Sequence, residues 1–287
     1  MELITIEQAA NGVADGLDRF LSRFGRPIRD ALVVAGIGRA LWYFLAQGIR
    51  PWEFLGIDTR AYWQVDLAHP YAHSGIGGIS SFLYSPAFAQ VLAPFGALPF
   101  SVFFGLWTVA SLVILGWLIR PWPWIVGILA LPIIYELCVG NLNFVVAAAI
   151  VLSFRAPPLW ALPVLTKITI GVGVLWFPVR REWRSLALAL GSIALIVAFS
   201  FALAPTAWVD WIAFLTTSSD RSQALPARLA LAIVLVAFGA VTGRRWLVPI
   251  AVWLAQPNII INSWVILLAT IRLRAPIAPA PFRVVGR

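Results

Sequence analysis

Asp58, Arg60, Asp66, His69 and His73 all fall within "GIDTRAYWQVDLAHPYAHSG", residues 56–75, of a 287-residue chain that has only 12 acidic residues and two histidines. Carboxylates, a guanidinium and imidazoles at this density can move protons or hold an anion. Asp58 stands just ahead of Tyr62 and Trp63 and is a candidate general base. Near a membrane surface its carboxylate takes a proton from an acceptor hydroxyl if burial raises its pKa toward neutrality. Asp58 also suits the N-cap of a helix through "DTRAYWQVD", and the two roles are compatible. Asp66, eight residues on, then shares roughly the same helix face. His69 and His73 are four apart, a spacing found between metal ligands, but Pro70 interrupts the helix and no acid or cysteine completes a set. No metal is therefore expected, and His69 suits a phosphate contact or a solvated loop position.

Further along, Lys167 is the sole lysine. A cation inside an apolar segment is costly and marks a functional site by default. As a point charge it suits an anionic phosphate, and the alternative is a side chain that snorkels to the interface. Glu136, Asn141 and Asn143 cluster at a turn in "ELCVGNLN", where polar groups face the bundle interior and pair with one another. Glu136 also suits an ion pair with Arg39. Trp208 and Trp211 flank Asp210, and indoles there either stack on a sugar ring or anchor the interface.

The elements that must position these groups are membrane helices. The chain is 61% hydrophobic and only 11% charged, far below the roughly one quarter charged of a soluble domain. Residues 67–119, 185–209 and 246–271 hold no Lys, Arg, Asp or Glu, and runs of 18 or more such residues read as spans. The net charge of +9 does not indicate nucleic acid. The arginines come as short punctuation (Arg120, Arg155, Arg180-Arg181, Arg244-Arg245), as the positive-inside rule requires of cytoplasmic loops. No cleavable signal peptide is expected.

These signals predict an all-α polytopic membrane helical bundle of about eight to ten helical segments, some short or re-entrant. Residues 1–29 form an amphipathic cytoplasmic leader, 30–272 one transmembrane domain, and 273–287 a cytoplasmic tail. The first span covers about 30–49, and an extracytoplasmic loop of about 50–83 carries the polar stretch. Residues 84–99 form a short helix that does not cross, and 100–119 a full span. Residues 156–179 lie between Arg155 and the Arg180–Arg184 cluster and are too short for two crossings, which predicts a broken hairpin with Lys167 near its tip. Spans follow at 185–204 and 228–243, with an outer loop over 204–227 between them. A second broken hairpin covers 246–271 and turns at "QPNIIIN".

In order and spacing the chain resembles the GT-C superfamily of integral-membrane glycosyltransferases, and within it family 87, the polyprenol-phosphate-mannose-dependent mannosyltransferases. The resemblance rests on Asp58 followed by Tyr62-Trp63, on "FLYSPAFAQVLAPFGALP" with its Tyr84-x-Pro, on "GNLNFVVAAAIVL", on "LTKITIGVGVLWFPVRREWRSL" and on "AQPNIIINSWVILL". Asn141 stands where the family usually has Gln, and the proline that commonly follows the lysine is absent. The resemblance implies a GT-C-like fold and an inverting transfer of a sugar, mannose by family, from a polyprenyl phosphate to a lipid-linked or cell-wall glycan. It implies Asp58 as base, Lys167, Arg60 and His69 at the donor phosphate, and Tyr62, Asp66, Tyr84, Glu136, Asn141, Asn143, Trp208 and Asp210 around the substrates. No cofactor is implied. The partners are the polyprenyl-phosphate sugar, a glycan or glycolipid acceptor and membrane lipids, and the setting is a bacterial plasma membrane with an extracytoplasmic site. Short broken helices also describe a transporter or lipid-handling protein, and a non-catalytic scaffold is the third reading.

Overall fold

The computed structural model of the protein describes residues 25–46, 48, 50–71, 81–217 and 223–274. Among them every regular element is helical. Helix α1 (25–46) begins inside the stretch expected to be the leader, whose residues 1–24 lie outside the described ones, as do 275–287 of the tail. The described residues fall into two compact units. In the smaller, α1 is joined by residues 124–131, and the larger holds the remainder from Arg50 onward.

In the larger unit a short α2 (Ile57–Trp63) leads to α3 (Pro86–Leu92), the expected non-crossing helix. Ser85 caps α3 by accepting from the Phe88 N–H, and Pro86 supplies a preset φ at its first position. Next comes α4 (Phe100–Leu118). The short α5 (Ile125–Ile128) belongs to the smaller unit, where Gly36 lets α1 approach its backbone closely. Then α6 (Ala130–Val139) and α7 (Asn143–Ser153) meet at a bend of 108°.

Residues 156–179 are broken as expected. They form 3-10 turns and two short helices, α8 (Ala161–Thr166) and α9 (Trp176–Val179), with Lys167 in extended backbone between α8 and the turn at Ile168–Leu175. After α10 (Trp183–Leu203) come α11 (Pro205–Thr217) and α12 (Leu225–Thr242). The second broken segment comprises α13 (Leu247–Leu254), a 3-10 turn at Ile261–Leu268 and α14 (Ala269–Arg272).

By length and composition α4, α10 and α12 can each cross a membrane, and the bent α6–α7 pair is a fourth crossing if counted as one. This is a multi-pass helical membrane bundle. Only 11% of the apolar window of α10 is buried within the chain, so its outward face needs lipid rather than water around it. The core lies instead around α7 and the two broken segments, where Trp160, Trp176, Phe144 and Phe177 are fully buried. Unbonded backbone groups in such breaks are tolerated in a bilayer only when enclosed by protein or lining a cavity.

One expected element is corrected. Much of 204–227, read as an outer loop, is the helix α11. Pro205 opens it at a position where its missing N–H costs nothing. Ala207, Trp208 and Trp211 supply a buried stripe at helical spacing.

Candidate active site

The bend between α6 and α7 is built from three neighbouring residues. Gly140 ends α6 with φ of 70°, a left-handed conformation that glycine alone adopts without steric cost. A Cβ there would also stand 2.8 Å from Thr59. Glu136, one turn earlier, reaches across the break. Its Oε1 accepts the Asn143 backbone N–H at 2.7 Å and its Oε2 accepts Asn143 Nδ2 at 3.0 Å. Both residues are 1% exposed. The carboxylate therefore satisfies the first N–H of α7 and complements that helix's positive end. Both hydrogen bonds of Glu136 go to Asn143, so the acid holds the bend.

Asn141 sits at the apex. Its Oδ1 accepts the Leu142 N–H at 2.7 Å and its backbone carbonyl accepts the Trp107 indole N–H at 3.4 Å. That orientation leaves Nδ2 to donate to Asp58 Oδ2 at 2.6 Å. Asp58 arrives there because the start of α2 is tied to the end of α6. The Gly56 N–H donates to the Cys138 carbonyl at 2.7 Å. Gly56 itself takes φ of 69°, and a Cβ on it would lie 2.6 Å from Phe100.

The N-cap reading of Asp58 is thereby replaced. Gly56 occupies the cap position, Asp58 lies in the first turn, and its hydrogen bond goes to Asn141 rather than to its own helix. Burial raises the pKa of Asp58 above the ordinary carboxylate value of 3.8, while the Asn141 hydrogen bond and then the charge of Lys167 pull it back. Among the described residues Oδ1 of Asp58 accepts no hydrogen bond, which leaves it open to a hydroxyl.

Lys167 joins the same cluster from the other side, as an electrostatic neighbour of Asp58 and Glu136. Its Nζ donates to Gln256 Oε1 at 2.9 Å. Gln256 is fully buried on the turn after α13, and that turn is pinned by Arg228 of α12. Arg228 donates to the carbonyls of Leu254, Gln256 and Pro257 at 3.1, 2.9 and 3.0 Å. Neither Gln256 nor Arg228 was singled out in the sequence. A signal existed for Arg228, the one charged residue between Arg221 and Arg244, in a helix otherwise fit to cross a membrane.

Tyr62 and Tyr84 line the cluster's buried side, with their hydroxyls 3.0 Å apart. Burial pushes both phenols above their ordinary value, with Asp58 adding to it. They stay protonated and act as hydrogen-bonding groups, not bases. Tyr71 supports Tyr84 by donating to its carbonyl at 2.7 Å.

The remaining expected residues stand apart. Arg60 is exposed, with its guanidinium 4.3 Å from the Phe100 ring centroid. Asp66 lies beyond the end of α2, not on its face, and accepts the Ala68 N–H at 2.9 Å. Exposed His69 is 3.8 Å from Asp66, and His73 lies outside the described residues. Trp208 is buried, donates to Ser200 Oγ at 3.0 Å and packs edge to face on Trp211, while Asp210 is exposed on the same helix. Among the described residues no hydrogen bond or ion pair links any of these to the cluster. A cleft of about 310 Å³ between residues 67–70, α3 and the α10–α11 corner is lined by Leu67, Pro86, Gln90, Leu203 and Ala207 among others. It contains none of the cluster's polar groups.

An open carboxylate with a raised pKa, oriented by an amide and facing a held ammonium, is equipped to deprotonate a hydroxyl beside a departing anion. Residues 82–286 match the family model of glycosyltransferase family 87. The match takes in Tyr84, Glu136, Asn141, Asn143, Lys167, Arg228 and Gln256 and begins after α2, so Asp58 lies ahead of it. No curated protein and no solved structure matches the chain.

Proposed function

The chain belongs to glycosyltransferase family 87, and on that premise we propose that it moves a sugar, mannose by family resemblance, from a polyprenyl phosphate to a lipid-linked or cell-wall glycan at the extracytoplasmic face of a bacterial plasma membrane. The observation that carries this reading is the hydrogen bond of 2.6 Å from Asn141 to Asp58, with Lys167 in electrostatic reach. Asp58 takes the proton of an acceptor hydroxyl as that oxygen attacks the anomeric carbon. The bond from that carbon to the phosphate oxygen breaks on the opposite face, its electron pair leaves with the polyprenyl phosphate, and the configuration inverts. Lys167 meets the charge that develops on the leaving phosphate. Its hydrogen bond to Gln256 places the ammonium before substrate arrives, so little reorganisation accompanies the reaction.

The test is sugar transfer in membranes containing equal amounts of wild-type or Asp58→Asn protein, with labelled polyprenyl-phosphate mannose and a lipid extract as acceptor. A base of this kind contributes about 10²–10⁴-fold, so the variant is expected to lose at least about a hundredfold. Equal transfer by both proteins removes Asp58 as the base. No transfer by the wild type from any polyprenyl-phosphate sugar removes the donor assignment.

A further inference from the structure

At the far end of α7 from Asn141, about 16 Å along an eleven-residue helix, three arginines converge from three separate segments. Arg155 follows the last turn of α7, Arg180 closes α9, and Arg245 stands in the turn between α12 and α13. Two aromatic rings join them. The Arg245 guanidinium lies 5.2 Å from the Phe154 centroid, Phe154 meets Trp176 edge to face at 5.3 Å, and Arg180 lies 5.5 Å from the Trp176 centroid. Cations held over ring faces in this way are ordered before any ligand binds.

The charges do not balance. Arg155 and Arg180 are both electrostatic neighbours of Arg245, and Glu182 is the one acid among its described neighbours. Among the described residues three guanidinium groups face one carboxylate, which leaves two positive charges. Glu182 is moreover committed to Arg180, whose Nε donates to it at 2.7 Å and whose Nη1 donates to the Ala240 carbonyl at 2.9 Å. The Arg180 side chain is only 10% exposed. Arg245 Nε is shielded from solvent and has no hydrogen-bond partner among the described residues. A buried charged donor without an acceptor is costly, and native proteins rarely leave one so.

We propose that this end of the bundle binds the phosphate headgroup of an anionic phospholipid, with Arg155 and Arg245 as its donors and Arg180 kept on Glu182. The surroundings favour a lipid over a soluble anion. Leu152, Trp183, Phe238 and Val241, close in sequence to the cluster, are all exposed apolar residues. They offer acyl chains a surface next to the arginines. Basic clusters where membrane helices end attract anionic headgroups, and arginines gathered at one end are what the positive-inside rule puts in the cytoplasm. The proposal does not depend on the sugar-transfer reading, because it uses none of the residues of that site.

The experiment is native mass spectrometry of the delipidated full chain, titrated with phosphatidylglycerol or with phosphatidylcholine of the same acyl chains. The wild type is expected to retain phosphatidylglycerol preferentially, and Arg245→Gln to reduce that retention about fivefold. Arg155→Gln, at an exposed position, gives the same reading should Arg245→Gln not fold. Glu182→Gln removes the opposing charge and is expected to keep or strengthen the preference. Equal retention of the two lipids by the wild type, or unchanged retention after both arginine substitutions, overturns the proposal. So does complete displacement of the lipid by inorganic phosphate in millimolar excess, which indicates a site for the free anion.

Discussion

Asn141 and Asp58, 83 positions apart in sequence, are joined by a hydrogen bond of 2.6 Å that ties the break between α6 and α7 to the first turn of α2. The donor belongs to the part of the chain that matches family 87 and the acceptor lies ahead of it. The bond therefore positions the candidate base from within the matched region.

Removing the influences that lower the pKa of Asp58 should move the acid limb of the pH–rate profile upward. Asn141→Ala takes away the hydrogen bond and Lys167→Met the positive charge, and each now opposes the effect of burial. In both variants the acid limb is expected at higher pH than in the wild type, with the larger rate loss below neutrality. Asn141→Ala also frees the carboxylate to turn, which costs up to about a hundredfold. Asn141→Gln keeps an amide donor, the residue type the family usually carries there, and should retain more activity than Ala. A profile unmoved by both Asn141→Ala and Lys167→Met contradicts this account.

Stability should change with pH in the sense opposite to that of a salt-bridged acid. The folded pKa of Asp58 is raised. Between 3.8 and that raised value the folded chain therefore holds a proton that the unfolded chain has released. Stability is present in full below this window and falls as pH rises through it. Asp58→Asn removes the dependence. Its melting temperature in detergent is expected a few degrees above wild type at neutral pH, with the gap closing toward pH 4. A constant gap across that range assigns the difference to another cause.

The bend itself can be tested at Glu136. Glu136→Ala leaves the buried Asn143 N–H without an acceptor and should cost about 1–3 kcal/mol. Glu136→Gln keeps one acceptor oxygen and should cost less. Gly140→Ala forces a left-handed backbone at about 1–2 kcal/mol and presses a methyl group on Thr59. Thermal unfolding of the three variants checks the order.

Gln256 and Arg228 act through Lys167, which makes them positioning residues. Gln256→Ala removes the ammonium's acceptor but leaves its charge, so the acid limb set by Asp58 should stay in place. Activity should fall about tenfold in kcat/KM for donor, the loss of one charged hydrogen bond. Arg228→Lys keeps the charge but lacks the fork that holds three carbonyls, and should resemble Gln256→Ala. A shifted acid limb in either variant indicates a wider disturbance of the site.

The spans were the legible part of this fold. A helix that crosses lipid must be long and almost wholly apolar, so α4, α10 and α12 appear as long apolar runs, with Arg184 at the start of α10 and Arg228 the single charge in α12. The broken segment around Lys167 was legible by arithmetic, because the 24 residues between Arg155 and Arg180 cannot cross twice. Helix α11 was not legible. Asp210 and the paired tryptophans have the composition of an interfacial loop, and only packing shows Trp208 turned inward onto Ser200. The site was half legible. Asp58, Asn141 and Lys167 stood out as polar groups in apolar surroundings. Their pairing did not, because the contacts span 83 and 89 positions and depend on two glycines that let Thr59 and Phe100 approach the backbone. Arg60, His69 and Asp66 were grouped with Asp58 by proximity in sequence, but Arg60 stacks on Phe100 from within α2, and Asp66 and His69 follow the end of that helix at Trp63.

The break that seats Lys167 holds the only ε-amine in the chain. Reagents that acylate or reductively alkylate primary amines therefore find one side-chain target, and it lies at the candidate site. Chemical modification of this protein, usually a diffuse perturbation, becomes a local probe whose protection by an added substrate can be read with no other side-chain amine competing.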